Sequence, residues 1–171
     1  MYEKQTWIDG VSIANAERLN HIEDGIGNNS EKISSKNFIF LYSPEGGEIN
    51  SQGDSTIKLT ELFKEGNKLS YEDNNVIFSD DVEYVRVSGN IFFENIPSNA
   101  YIHSKISTNI EIVSASIVQN NEYYASTPFP TVILNTKSSK KIGMSSFVST
   151  GTCHYRAGSI NTWLCVEVIK W

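Results

Sequence analysis

The stretch Tyr84-Val85-Arg86-Val87-Ser88-Gly89-Asn90-Ile91-Phe92-Phe93-Glu94 decides the fold. Val85, Val87, Ile91 and Phe93 share parity with Gly89, while Arg86, Ser88, Asn90 and Glu94 share the other. A period of two marks a strand with one face in a core and the other toward solvent. Phe92 alone breaks the pattern.

Working outward, the same style recurs. Ile102/Ile106 and Ile110/Ile112 alternate, and Val113/Ala115/Ile117 shifts the parity by one, as a β-bulge does. Thr131 to Leu134 and Met144 to Val148 follow, and the final run places Leu164, Val166 and Val168 on one inward parity. Turn signals separate the runs: Asp73-Asn74-Asn75, Pro97-Ser98-Asn99, Gln119-Asn120-Asn121, Pro128 with Pro130, and Gly151. Many short strands without alternating helices imply an antiparallel sandwich. Toward the N-terminus, Thr56 to Phe63 reads as a strand running into one helical turn before Gly66. Phe38 to Tyr42 reads as a short apolar strand, either at a sheet edge or along an oligomer axis.

The first 33 residues follow another period. Leu19, Ile22, Ile26, Asn29 and Ile33 are spaced three, four, three and four, the a/d seam of a short coiled coil. Asn15 can cap the first turn and Glu17 sits where the helix dipole favours a negative charge. Gly25 and Gly27 weaken the helix by about 1 kcal/mol each relative to Ala. One amphipathic helix this short is marginal in water, so it needs either its own domain or other copies of the chain to pack against. The expected organisation is a docking segment and helix over 1–33, a linker with a short strand over 34–55, and a β head over 56–171.

Composition bounds the function. Charged residues make up 20% of the 171 and hydrophobic ones 39%, enough for a sizeable core and unlike a disordered chain. With 14 basic and 20 acidic residues the net charge is −6, and no basic cluster offers itself to nucleic-acid phosphates. No apolar run nears the ~20 residues of a membrane span, and the start of the chain is not a signal peptide. The expectation is a protein made in a cytoplasm that leaves it as part of an assembly. Cys153 and Cys165 are read as reduced thiols.

No catalytic constellation or cofactor site is read. His21, His103 and His154 lack metal-ligand spacing, and the adjacent pair Cys153-His154 would point to opposite faces of a strand. Asp80-Asp81-Glu83 and Glu72-Asp73 lack the glycine of a calcium loop and read as solvated hairpin ends. No G-x-S-x-G elbow occurs. The segment Asn120 to Pro130 mixes amides, a carboxylate and the rings of Tyr123, Tyr124 and Phe129. It is either a sugar-stacking loop or a plug in which Tyr123 and Phe129 pack inward. Tyr155 beside Arg156 is a second candidate.

Two resemblances sharpen this. Trp7-Ile8-Asp9-Gly10 followed by Asn15-Ala16-Glu17-Arg18-Leu19-Asn20-His21-Ile22-Glu23-Asp24-Gly25-Ile26 resembles the N-terminal signature of tail, baseplate and fibre proteins of phages infecting Gram-positive bacteria; Ser12-Ile13-Ala14 departs from the Pro-Leu expected before the cap. Gly66-x-x-Leu69-Ser70, Val85-x-Val87-Ser88-Gly89 and the terminal Leu164-x-Val166-Glu167-Val168-Ile169 resemble the C1q/TNF-like jelly-roll heads of phage fibres. The resemblance implies a mainly β, homotrimeric, non-enzymatic virion protein. It would dock to other virion proteins through Trp7, Ile8 and Asp9 and bind a host-surface glycan through its head. A capsid-attached head fibre, a decoration without a receptor and a glycan-cleaving fibre are the competing readings.

Overall fold

The computed structural model describes residues 20–26, 36–108, 111–119 and 123–171. The chain divides into two compact units, Met1–Lys36 and Asn37–Trp171. In the first unit residues 20–26 are helical, and Ile22 and Ile26, one turn apart, are 57% and 45% exposed. Leu19, Asn29 and Ile33 of the seam, and Trp7, Ile8 and Asp9, lie outside the described residues.

The second unit is an antiparallel two-sheet sandwich, mainly β as the sequence implies. Its strands are β1 (Phe38–Tyr42), β2 (Gly47–Asn50), β3 (Ser55–Thr56), β4 (Thr60–Glu65), β5 (Leu69–Glu72), β6 (Asn75–Phe78), β7 (Tyr84–Glu94), β8 (Tyr101–Ser107), β9 (Ile112–Gln119), β10 (Tyr124–Asn135), β11 (Lys141–Val148), β12 (Thr152–Tyr155) and β13 (Trp163–Lys170). One sheet has seven strands: β2-β12-β7-β13-β1-β4, with β10 added to β7. The other has six: β5-β6-β11-β8-β9, with β3 added to β11. The alternating stretch Tyr84–Glu94 is β7, the centre of the first sheet. It holds β10 along one flank and β13 and β12 in tandem along the other.

Alternation places the core. Val85, Val87, Ile91 and Phe93 of β7 are fully buried, as are Ile39 of β1 and Val166 of β13, and they face Ile102, Ile106, Ile142 and Val148 of the second sheet. Gly89 falls on the inward parity, and the position suits glycine because a Cβ there would lie 2.9 Å from the Trp163 carbonyl oxygen. A hydroxyl chain joins the sheets inside this core: Thr127 donates to the Ile91 carbonyl, its Oγ1 lies 3.2 Å from Ser104 Oγ, and Ser104 Oγ lies 3.0 Å from Ser146 Oγ. The parity shift at Val113 is a bulge: Ile106 faces Ser114 while Ser107 faces Ile112, leaving Val113 as the extra residue.

The structure corrects four expectations. Residues 38–42 do not form an edge strand, because β1 pairs with β13 on one side and β4 on the other. The residues expected as a linker over 34–55 therefore supply β1 and β2, and the head begins at Asn37 rather than 56. Thr60–Glu65 is a strand without a helical turn, since β1 offers it a full ladder. Pro128-Phe129-Pro130 is no loop but part of β10, whose only ladder partner among the described residues is β7. A strand with one free edge tolerates residues that cannot donate a hydrogen bond.

Candidate interaction surfaces

The outward face of the seven-stranded sheet carries a feature that strand reading missed. Phe38 stacks on Phe63 at 5.2 Å between ring centroids, and Phe40 stacks on Trp163 at 5.7 Å. These four rings come from β1, β4 and β13, all on the outward parity, and Phe63 is 53% exposed. No strand among the described residues lies over them. Further across the same face, Phe92 of β7 sits beneath Tyr124 of β10 at 6.1 Å and beneath the Arg156 guanidinium at 5.8 Å. That explains the break in the β7 alternation: Phe92 faces outward and is half-covered by neighbours on its own face. The signal was available in the sequence, as aromatics at outward parity in Phe38, Phe40, Phe92 and Trp163.

The receptor candidates separate. Tyr123 and Tyr124 are 56% and 49% exposed and meet edge to face at 4.9 Å. Phe129 is buried, with Thr127 and Ala125 on the inward parity of β10, so its ring is core and offers no stacking face. Tyr155 is buried too. Its hydroxyl accepts a hydrogen bond from the Lys58 amide at 3.2 Å, and its ring lies where a Cβ on Gly47 would be, 2.4 Å from the hydroxyl. Both fail as receptor contacts because each fills the interior. Arg156, next in sequence, is on the surface with Glu94 at 3.7 Å.

Two acids of the Asp80-Asp81-Glu83 cluster are paired. Asp81 accepts a hydrogen bond from Lys68, which holds its carboxyl below the ordinary range, and Lys170 does the same for Glu83. His154 lies 3.8 Å from Glu48 and 3.4 Å from the Asn95 amide, on the face opposite Cys153. Burial pushes the Cys153 thiol up to about 11, and both cysteines are free.

No protein-family model matches the sequence, and no curated protein matches it. Solved structures do match in fold. Murine APRIL superposes with a TM-score of 0.61 at 10% identity, over 78% of this chain and 99% of that one. The Eiger TNF of S. frugiperda gives 0.56 at 8% identity over 79% and 93%. PRD1 vertex protein P5 gives 0.55 at 8% identity over 80% and 74%. The sandwich is a jelly roll of the TNF/C1q type.

Proposed function

We propose that the chain is a homotrimeric, non-enzymatic structural protein of a phage particle, docked through its N-terminal segment and carrying a glycan-recognising head. The observation that carries the trimer is the ring cluster Phe38, Phe63, Phe40 and Trp163, an apolar sheet face with no strand over it. Such a face is costly to leave in water and usually marks an interface. Ile117 of β9 and Ile133 of β10 are each 66% exposed as well, on the outward faces of the two different sheets.

The docking role rests on the Trp7-Ile8-Asp9-Gly10 signature and is supported by the separate N-terminal unit with its exposed Ile22 and Ile26. A tail or baseplate fibre is the first reading. The likeness in fold to PRD1 vertex protein P5 favours a second, attachment at the capsid. Electron microscopy of particles labelled on this protein separates the two.

The trimer is tested by replacing Phe40 and Trp163 with Ser together. Each ring contributes about 1.5–3 kcal/mol when buried, so the pair should weaken association by about a hundredfold or more. Sedimentation equilibrium should show a trimer for the wild type and monomers for the double variant, with the strand signature in circular dichroism retained. A monomeric wild type refutes the reading.

A further inference from the structure

The six-stranded sheet carries a polar cleft that neither the ring cluster nor the tyrosines use. It opens where β6 stops and β3 begins along the same flank of β11: β6 pairs with Lys141 to Gly143, and β3 with Ser145 and Ser146. The gap between them is a cleft of ≈ 330 Å³ floored by Gly143 and Met144. Asp73 and Asn75 from the β5–β6 turn form one wall, Asp54 another, and Ser107 and Ser145 a third.

The cleft is held open by construction. A Cβ on Gly143 would fall 2.9 Å from the Asn75 side-chain oxygen and 3.2 Å from the Asn74 carbonyl, so glycine leaves these two oxygens room at the floor. Asp73 and Asn74 both take positive φ, 48° and 61°, the geometry of a tight hairpin turn that usually employs glycine. Asn74 keeps its side chain there and accepts a hydrogen bond from the Tyr71 hydroxyl at 3.2 Å. Asn75 donates from its amide to the Asp73 carbonyl at 2.8 Å, which orients its oxygen toward the floor. Lys105 donates to the Asp54 carboxylate and fixes that group as well. Among the described residues the side chains of Asp73, Ser107 and Ser145 make no hydrogen bond, so their polar atoms are available to a guest.

The chemistry of the walls selects the guest. Two carboxylates against one lysine, already paired, repel an anion. No group of three or more His, Cys, Asp or Glu among the described residues could hold a metal ion. Fixed amide and carboxylate oxygens beside free hydroxyls suit a neutral ligand that both donates and accepts at several points. We infer that this cleft binds one neutral sugar unit of a glycan. The inference rests on reading the head as glycan-recognising, and it moves the site from the exposed tyrosines to the opposite sheet. One such cleft is weak by itself, and three copies on a trimer gain strength by avidity.

The test is saturation-transfer NMR on the full chain with the methyl glycosides of glucose, galactose, N-acetylglucosamine and rhamnose. Ser145→Gln fills the cleft from an outward strand position, and Asp73→Asn removes an acceptor charge while keeping a residue that tolerates the turn. At least one glycoside should give transfer to the wild type, and each variant should weaken its affinity about tenfold or more while melting as the wild type does. Transfer that survives both variants overturns the assignment and leaves glycan recognition standing elsewhere on the head. Absence of transfer from every glycoside also overturns it; retention of the wild-type trimer on host cell walls then shows whether glycan recognition itself has fallen.

Discussion

Tyr124 and Phe129 sit five residues apart on β10, one 49% exposed and the other 5%. Two prolines between and after them suggest a stiff loop when the sequence is read alone, and parity is then never counted. Counted from Thr127, which is fully buried, Phe129 falls inward and Tyr124 outward. The information was in the residues, but the prolines masked it, because strands tolerate them mainly at a free edge or a bulge, and β10 offers both. The difference has a measurable consequence. Phe129→Ala empties a core position and should cost about 3–5 kcal/mol, whereas Tyr124→Ala removes an exposed ring and should stay within about 1 kcal/mol. Urea titration of the two variants reads this directly. Equal losses would mean that Tyr124 also packs into the fold. Tyr155 is a further case of a ring placed by its neighbours, since it needs Gly47 bare and the Lys58 amide in reach. Neither partner is near it in sequence, so no local pattern could reveal it.

Among elements, legibility tracks burial pattern. β7 and β13 alternate cleanly because each has one face in the core, and both stand out from the sequence. β4 has no buried residue and therefore no period of two, so Leu62 and Phe63 could pass for a helical turn. Its strand state is imposed by β1, a tertiary effect invisible to local propensity. Strand ends are also where the charges pair. Lys170 at the close of β13 meets Glu83 just before β7, and Lys68 just before β5 meets Asp81. Hydrogen bonds from the lysines lower the pKa of Glu83 and Asp81, and the bond to Glu83 raises that of Lys170. A lowered carboxyl adds stability above its ordinary pKa and loses it as pH falls through the lowered folded value. The raised lysine adds stability below its ordinary pKa and loses it as pH rises through the raised one. Melting temperature should therefore hold a plateau through neutral pH and fall at both ends, by modest amounts because the carboxylates are about half exposed and screened by solvent. Asp81→Asn with Glu83→Gln should flatten the acid limb, and molar salt should do the same to the wild type. An acid limb unchanged by the double substitution would assign it to other carboxylates.

At the scale of the whole chain, the decisive boundary is where the head begins. Sequence pattern placed it at 56, because the polar run Glu48 to Ser55 reads as a connector and Phe38 to Tyr42 as an isolated apolar strand. Topology places it at Asn37: β1 fills the slot between β13 and β4, and β2 pairs with β12. A strand whose partner lies more than a hundred residues onward carries no local sign of that partner. The two boundaries predict different proteins. Removing residues 1–36 leaves the sandwich intact, so 37–171 should fold, melt near the full chain's temperature and keep its association through the aromatic face. Removing 1–55 strips out Ile39, Leu41 and Ile49, each fully buried. Each contributes about 1.5–3 kcal/mol by burial, and their loss together approaches the whole ~5–15 kcal/mol stability of a typical domain. It would also bare the inner edges of β13 and β4 and leave β12 unpaired on one side, open templates for aggregation. Residues 56–171 should therefore be insoluble or lack a cooperative transition in calorimetry. A cooperative melt of 56–171 close to that of 37–171 would show that β1 and β2 are dispensable to the sandwich and that the head begins after them.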